Sequence, residues 1–480
     1  MKRVNTRYIL PALLIAVTLL AACQKQLEDI NKNPNQSENV QPDYLLSNAI
    51  KSAVDIYWGE NATMETSLLY VQYWAKIQYT DPDKYQPAAT TSQSIWNNFY
   101  AQPVQDFTTL IQLGDTLHNP NYRAVGVIMR SWIFQNLTDL YGDVPYSQAA
   151  NIKEFLTPRY DAQKDIYTGL LAELKGAVAA IQETANPIQG DPVFKGDMKR
   201  WKQFANSLRL RIAIRISDRD EATAKAVFDE VSNNAATVLS SNADNVKLDY
   251  LASPNQNPVG RNRETRNDYR ISKSVVDKLL ALNDPRLSIY AAKPKDGGPI
   301  LGVTNGLPTD SASALGFNKT SDVGAVFTAT TAPAILFNYA ELLFIKAEAA
   351  ARGLISADAE QLYKDAIRAS LAQYNIVDAT VVNNYLAQPA LAYDVTNFRR
   401  AIGEQKWLAL FSEGIEGFTE WRRLDYPQLK PAYQGVLQGK MPLRLTYPSS
   451  EQALNGINYK KAVANQGPDA LITRLWFDVR

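Results

Sequence analysis

Residues 339–374, YAELLFIKAEAAARGLISADAEQLYKDAIRASLAQY, decide the fold class of this chain. In 336–350 and again in 359–374, apolar residues recur every three or four positions, which is the period of an amphipathic α-helix. Gly353 follows the first run at a position that favours a helix C-terminus. Ser356 is a candidate N-cap for the second run, and the acidic residues after it suit a helix N-terminus. The stretch therefore predicts two antiparallel helices joined by a short turn.

A helix pair of roughly 34–40 residues is typical of tetratricopeptide-like repeats. The helical period continues along most of the chain, so we predict a mainly α fold, a tetratricopeptide-like helical repeat superhelix of about four helix pairs with long loops and few short strands. The other predicted helices cover 44–57, 64–78, 94–113, 121–140, 161–182, 200–216, 221–231, 273–282 and 398–415. Short strands are predicted at 245–250 and 325–328, and a loop-rich insert at about 251–330, where glycines are frequent.

The composition is that of an ordinary globular protein, with 46% hydrophobic and 21% charged residues. Its 50 Lys and Arg balance 49 Asp and Glu, which argues against a nucleic-acid-binding protein. A single Cys, Cys23, and a single His, His118, exclude an internal disulfide and a Cys/His zinc site. A Ser-His-Asp triad would have to use His118, which lies in a turn-rich sequence. Nucleotide-binding glycine motifs do not occur either, so the sequence favours binding over catalysis.

The N-terminus has the features of an export signal. Basic residues precede an apolar run at 9–20 that is too short to cross a membrane. The junction LAAC at 20–23 resembles the bacterial lipobox, in which the cysteine is acylated before cleavage. We therefore expect Cys23 to carry the lipid that anchors the protein to the outer membrane, facing the cell exterior. The predicted organisation is a signal peptide (1–22), a lipidated tether (23–42) and a single helical domain (43–480).

A series of short motifs follows in order along the chain. They are DINKNPN at 29–35, LYGDVPY at 140–146, WKQFANSLRLRIAIR at 201–215, NDPRL at 283–287, the helix at 339–353, EQKWLALFSEGIEGFTEWRR at 404–423 and YPSSEQALN at 447–455. Together they resemble the SusD/RagB-like outer-membrane lipoproteins of the Bacteroidetes. The resemblance implies a helical protein that acts as the lid of a SusC-like TonB-dependent transporter. Members of that family capture oligosaccharides or peptides and are not enzymes.

Aromatic residues are concentrated in 57–100, which holds ten of them, more than twice the 10% average of the chain. Several step with the helical period and are predicted to be core. Trp58, Tyr79 and Tyr85 fall in turn-rich sequence outside those stripes. Because sugar rings pack on aromatic faces, we expect these three side chains to form an exposed platform for ligand.

Polar side chains from the insert are further candidates for ligand contact. Asn257, Arg261, Arg263, Arg266 and Asn267 carry donors and acceptors suited to sugar hydroxyls or to a peptide. A short acidic turn, 81–83, offers oxygen atoms that Ca²⁺ prefers but lacks the spacing of a calcium-binding loop. We therefore predict no cofactor and no metal.

Three carboxylates near the C-terminus allow a catalytic interpretation. Glu413, Glu416 and Glu420 share one face of a predicted helix, where two carboxylates can lie about 5–6 Å apart, as a retaining glycosidase requires. Arginines and aromatic residues interleave with them, which favours a structural ion-pair network instead.

The prediction from the sequence is a non-catalytic surface lipoprotein that captures nutrient, mainly oligosaccharide or glycan, for a SusC-like transporter. Peptide capture is the alternative within the same system. A tetratricopeptide-like scaffold that binds only proteins, and a secreted glycoside hydrolase, are the alternatives from other classes.

Overall fold

The computed structural model describes residues 40–232 and 237–479. The predicted signal peptide, Cys23 and nearly all of the tether lie outside the described residues. The described chain is mainly α-helical with few short strands, which confirms the predicted fold class. Its helices are α1 (Pro42–Tyr57), α2 (Leu68–Tyr70), α3 (Ala89–Phe99), α4 (Gln105–Thr116), α5 (Pro120–Tyr141), α6 (Gln163–Ala180), α7 (Met198–Ile216), α8 (Glu221–Ser232), α9 (Pro258–Arg263), α10 (Lys273–Ala281), α11 (Leu287–Tyr290), α12 (Thr309–Ala314), α13 (Ala325–Thr328), α14 (Tyr339–Ala351), α15 (Ala359–Ala372), α16 (Ala379–Leu386), α17 (Phe398–Ala409), α18 (Gly414–Leu424), α19 (Ser449–Leu454) and α20 (Gly456–Gln466).

Short strands form two small antiparallel sheets. β1 (Trp74–Lys76) pairs with β3 (Tyr269–Ile271), and β2 (Val246–Leu248) pairs with β4 (Ala334–Phe337). The first sheet attaches the insert to the N-terminal part of the chain. The second closes the insert, because its two strands flank residues 251–330.

The helix pair that decides the fold class forms from local signals. Asn338 caps α14, since its Oδ1 accepts the backbone N–H of Glu341 at 2.8 Å. Gly353 adopts a left-handed φ of 74°, which lets the chain reverse after α14. Asp358, rather than the predicted Ser356, caps α15.

The longer helices pack in sequence order. Consecutive helices contact each other from α4 through to α8, and again between α14 and α15 and between α17 and α18. α14 also packs against α7 and α17, which joins the two halves of the array. Apolar side chains from all of these helices form one buried cluster, so the repeat is stabilised by burial between neighbours.

Several predicted elements need correction. Residues 325–328 form the helix α13 rather than a strand. The helix predicted at 64–78 is a π-helix, Glu60–Ser67, followed by α2 and then β1. The helix predicted at 398–415 divides into α17 and α18, because Ser412 between them has a left-handed φ of 72°.

Candidate functional site

Tyr79 is an exposed aromatic residue, as predicted from its turn-rich sequence. Its side chain is 60% exposed, and the guanidinium of Arg266 lies 5.7 Å from the centre of its ring. Arg266 is held in place by Asp268, which accepts two hydrogen bonds from it at 3.0 and 3.1 Å. Those hydrogen bonds raise the pKa of Arg266, so the guanidinium stays charged. Tyr79 and Arg266 therefore present a ring face beside a fixed cation.

Trp58 and Tyr85 are not exposed, and the predicted platform of three rings is wrong on this point. Trp58 is 4% exposed, and its indole N–H donates to the carbonyl of Ile335 at 3.1 Å. Tyr85 is 2% exposed, and its hydroxyl accepts the backbone N–H of Ala432 at 2.8 Å. Burial raises the pKa of Tyr85 to about 12. The cause of the error is long-range, since partners distant in sequence cover both rings.

Two of the polar candidates from the insert have structural partners. Asn257 is buried and caps α9, and its Nδ2 donates to the carbonyl of Ala332 at 2.9 Å. Arg263 is largely buried and forms a salt bridge with Asp322. Their expected exposure to ligand is therefore wrong, because each closes a contact within the insert. Arg261, by contrast, is exposed.

An open groove of about 520 Å³ lies between α1, the start of the π-helix, the end of α3 and α9. Polar side chains dominate its lining, among them Asn48, Lys51, Asp55, Glu60, Asn98, Gln102 and Arg261. The carboxylate of Asp55 forms a salt bridge with Nζ of Lys51 at 2.5 Å and accepts a hydrogen bond from the hydroxyl of Tyr250 at 2.6 Å. The others offer amide, carboxylate and guanidinium groups at the surface, which is the donor and acceptor set that sugar hydroxyls need.

The groove and the exposed ring are connected. Oε1 of Glu60, at the groove wall, lies 3.8 Å from Nη1 of Arg266, and the guanidinium of Arg266 faces the ring of Tyr79. The candidate site is therefore the polar groove extended by the Tyr79 ring. It combines hydrogen-bonding groups with one apolar face, as sites for polar ring-shaped ligands do.

Sequence reasoning missed most of the groove. Asn48, Lys51 and Asp55 recur every three or four residues on α1, so they form its polar face. That pattern is indistinguishable from an ordinary solvated helix face. Only the packing of α3 and α9 beside α1 turns this face into a groove wall.

Comparison with known proteins assigns the family. Residues 34–448 match the SusD-like family whose description is "Starch-binding associating with outer membrane". The chain belongs to this SusD-like family. No curated protein matches the chain.

Solved structures agree with the SusD-like assignment. A structure named as a chitin-binding protein is 27% identical with a TM-score of 0.81, and the match covers 92% of this chain and 100% of that one. A SusD homologue from Bacteroides uniformis is 25% identical with a TM-score of 0.80, over 91% and 100% of the two chains. A chitin-binding SusD homologue from Flavobacterium johnsoniae is 24% identical with a TM-score of 0.81, over 91% and 99%, and shares the fold.

In this SusD-like chain, two of the glutamates considered for catalysis belong to a buried ion-pair network. Glu420 contacts Lys406 and Arg423, both at 2.6 Å, and Arg215 at 3.1 Å. Burial alone would raise the pKa of Glu420, but Arg423 and Lys406 hold it well below its ordinary value. Glu416 also pairs with Arg215. Carboxylates engaged in this way hold helices together, as the interleaved sequence predicts.

The structure of the SusD-like chain also places His118 and the acidic turn at 81–83. His118 is exposed in a turn. Both carboxyl oxygens of Asp83 accept hydrogen bonds, from Lys76 N, Asn305 Nδ2 and Gly306 N, at 2.6–3.1 Å. Residues 40–232 and 237–479 contain no group of three or more His, Cys, Asp and Glu side chains that could hold a metal ion. None of the described helices is long and apolar enough to cross a membrane.

Proposed function

We propose that this SusD-like protein captures glycan at the outer-membrane surface, in the groove beside α1, without cleaving it. The observation that carries the proposal is the combination of an open polar groove of about 520 Å³ with the exposed Tyr79 ring at its edge. The groove supplies amides, carboxylates and one guanidinium for hydroxyl groups. The ring supplies an apolar face for sugar C–H groups, and Arg266 keeps that face beside a cation.

Family membership supports a glycan as the ligand class. The family is described as starch-binding, and a solved structure that is 27% identical to this chain is named as a chitin-binding protein. Binding without cleavage is supported by the buried pairing of Glu416 and Glu420 with Arg215, which removes the obvious acid and base. A free carboxylate pair would be needed for hydrolysis.

The experiment is a binding panel for the purified chain with starch, chitin, other polysaccharides and peptides. The double variant Asn98→Ala and Arg261→Ala removes two side chains that line the groove. Because both side chains are exposed, the variant should leave the core intact. Each lost hydrogen bond is worth about 0.5–1.5 kcal/mol, so glycan affinity should fall by about 5–100-fold. The control, Asn384→Ala with Arg368→Ala, changes one exposed and one half-exposed side chain outside the groove and should bind normally. Retained affinity in the groove variant, or binding of peptides alone, would contradict the proposal.

We further propose that the protein is lipid-anchored through Cys23 and delivers its ligand to a SusC-like TonB-dependent transporter. The sequence at 20–23 supports the anchor, and family membership supports the partner. Stable permanent complexes usually bury more than about 2,000 Å², so a complex with the transporter should survive mild detergent. Affinity purification from native membranes should recover a TonB-dependent barrel. Repeated purification of the lipidated chain without any such barrel would contradict the partnership and favour the scaffold alternative.

A further inference from the structure

A second open groove, of about 570 Å³, lies between the end of α3, the start of α4 and the loop that follows α5. Most of its lining residues are apolar, among them Trp96, Tyr100, Ala149, Ile152, Phe155 and Leu156. We call it the apolar groove, because the groove beside α1 is lined mainly by polar side chains.

Two aliphatic side chains of the apolar groove are directed to solvent. Ile152 is 70% exposed and Leu156 is 87% exposed, and both belong to the loop after α5. A single exposed aliphatic residue is ordinary, but exposed aliphatic residues grouped at a groove are typical of an interaction site. The loop therefore exposes apolar surface that its own fold does not cover.

The helices beside this loop add to the exposed apolar surface. Leu454 at the end of α19 is 78% exposed, and Ile457 at the start of α20 is 76% exposed. Between them, Nδ2 of Asn455 donates to the carbonyl of Pro158 at 2.8 Å, and Pro158 lines the apolar groove. This hydrogen bond joins the two segments, so the four aliphatic side chains belong to one region of the surface.

The charge of this region is mainly positive. Lys153 follows Ile152, and Lys460 and Lys461 lie three and four positions after Ile457, on the same face of α20. All three lysines are exposed, and none has an acidic partner within residues 40–232 and 237–479. The nearby carboxylates are already engaged, since Glu154 accepts from Asn151 at 2.9 Å and Glu451 accepts from Tyr160 at 2.6 Å. Free cations around apolar side chains favour a partner with acidic groups.

The shape and chemistry of the region favour a protein as the partner. Aliphatic side chains offer a sugar neither a flat ring face nor a hydrogen bond, so more glycan would not account for their exposure. The surface of a lipid bilayer would leave a concave groove unfilled, whereas a protein segment can insert side chains into it. The region therefore has the apolar centre and polar rim of a protein interface.

The position of the apolar groove indicates which protein. Ala101, an exposed residue with a small side chain, lines both the apolar groove and the polar groove. A partner docked in the apolar groove would therefore sit beside a glycan held in the polar groove. A transporter that receives the glycan needs contact at this place, whereas a structural scaffold does not.

We propose that the apolar groove docks the transporter, through a segment of that protein that carries apolar side chains flanked by acidic residues. The inference rests on the proposed partnership with a TonB-dependent transporter and assigns it a surface on this chain. Ile152 and Leu156 form the centre of the contact, and Lys153, Lys460 and Lys461 face the acidic flanks.

The test variant is Ile152→Asp with Leu156→Asp, which puts two charges at the centre of the contact. Both positions are exposed, so the melting temperature should stay close to that of the wild type. Val377→Asp with Val395→Asp is the matched control, because these residues are 70% and 78% exposed and lie outside the groove. Lys460→Glu with Lys461→Glu tests the charged rim separately.

The measurement is the amount of TonB-dependent barrel recovered with each lipidated chain from native membranes in mild detergent. Recovery should fall at least about tenfold for Ile152→Asp with Leu156→Asp, because two buried aliphatic contacts are lost. It should fall at least about threefold for the lysine variant and remain unchanged for the control. The purified aspartate variant should still bind polysaccharide as the wild type does. A photoreactive benzophenone residue in place of Leu156 should crosslink to the barrel.

The outcomes separate this inference from the proposed partnership. A wild-type chain that recovers no barrel would refute both, whereas equal recovery by the wild type and the aspartate variant would refute the inference alone. Loss of polysaccharide binding in the aspartate variant would show that the apolar groove holds ligand and would overturn the inference. A crosslink to a second copy of the chain would also overturn it, and unchanged recovery by the lysine variant would refute the acidic flanks.

Membrane binding is tested with the Cys23→Ala chain, which lacks the proposed acylation site. Vesicles of phosphatidylethanolamine and phosphatidylglycerol should not retain this chain in flotation. Retention that Ile152→Asp with Leu156→Asp abolishes would identify a lipid surface as the occupant and overturn the inference.

Discussion

Replacing Tyr79 or Tyr85 with alanine should have opposite consequences, although both tyrosines lie in left-handed turns six residues apart. Tyr79 is 60% exposed, so Tyr79→Ala should lower the free energy of unfolding by less than about 1 kcal/mol, most of it the cation–π contact with Arg266. The same change should weaken glycan binding by about 5–30-fold, because an exposed ring at a binding site contributes about 1–2 kcal/mol.

Tyr85→Ala removes a buried ring whose centre lies 5.8 Å from the centre of the Tyr70 ring and which packs against Gly435. Truncating a buried aromatic residue costs about 3–5 kcal/mol. The backbone N–H of Ala432 also loses its acceptor, which adds about 1 kcal/mol or more. The total of about 4–6 kcal/mol is a large share of the roughly 5–15 kcal/mol that stabilises a folded protein.

The assay is a paired measurement on each variant, with equilibrium urea unfolding for stability and titration with polysaccharide for affinity. Tyr85→Phe is the control, since it keeps the ring and should lose only about 1–2 kcal/mol. The reasoning would be refuted if Tyr79→Ala unfolded easily while its folded fraction bound normally. It would equally be refuted if Tyr85→Ala kept full stability.

Three other predictions test the core, the pH response and the anchor. Arg215→Met should lower the free energy of unfolding by about 3–5 kcal/mol, because the buried carboxylates of Asp139, Glu416 and Glu420 lose their counter-ion. Urea titration measures this loss, and a value below about 1 kcal/mol would contradict a stabilising role for the buried ion pairs. Burial raises the pKa of Asp83 from 3.8 to about 6, so its proton is bound more tightly in the folded chain. The stability of the wild type relative to Asp83→Asn should then decline by up to about 3 kcal/mol as pH rises from 4 to 6 and stay level above, and a difference independent of pH would count against it. Cys23→Ala should move the protein from the membrane to the soluble fraction of cell extracts, and a wild-type chain found without an acyl group would contradict the lipid anchor.

The sequence predicted the helices well where local signals agree with the final packing. The pair at 339–374 has the period, the turn glycine and acidic first turns, and both helices form within a few residues of the predicted bounds. Prediction failed where a distant partner decides the local structure. Residues 334–337 form β4 because they pair with β2, almost 90 positions earlier, and nothing in their own sequence distinguishes them from the start of a helix.

The candidate site shows even more clearly the difference between what local sequence signals and what distant contacts decide. Sequence alone determined that the chain is helical, excluded an internal disulfide and a Cys/His zinc site, and showed the resemblance to a family of outer-membrane binding proteins. It could not distinguish Tyr79 from Tyr85, because both are aromatic residues in turns, and exposure depends on which segments pack over them. The chain from Ala432 to Gly435 covers Tyr85, whereas Tyr79 remains 60% exposed. Helix formation follows largely from energies within a few residues, whereas strand pairing and burial follow from contacts between distant segments, and only the tertiary structure decides those contacts.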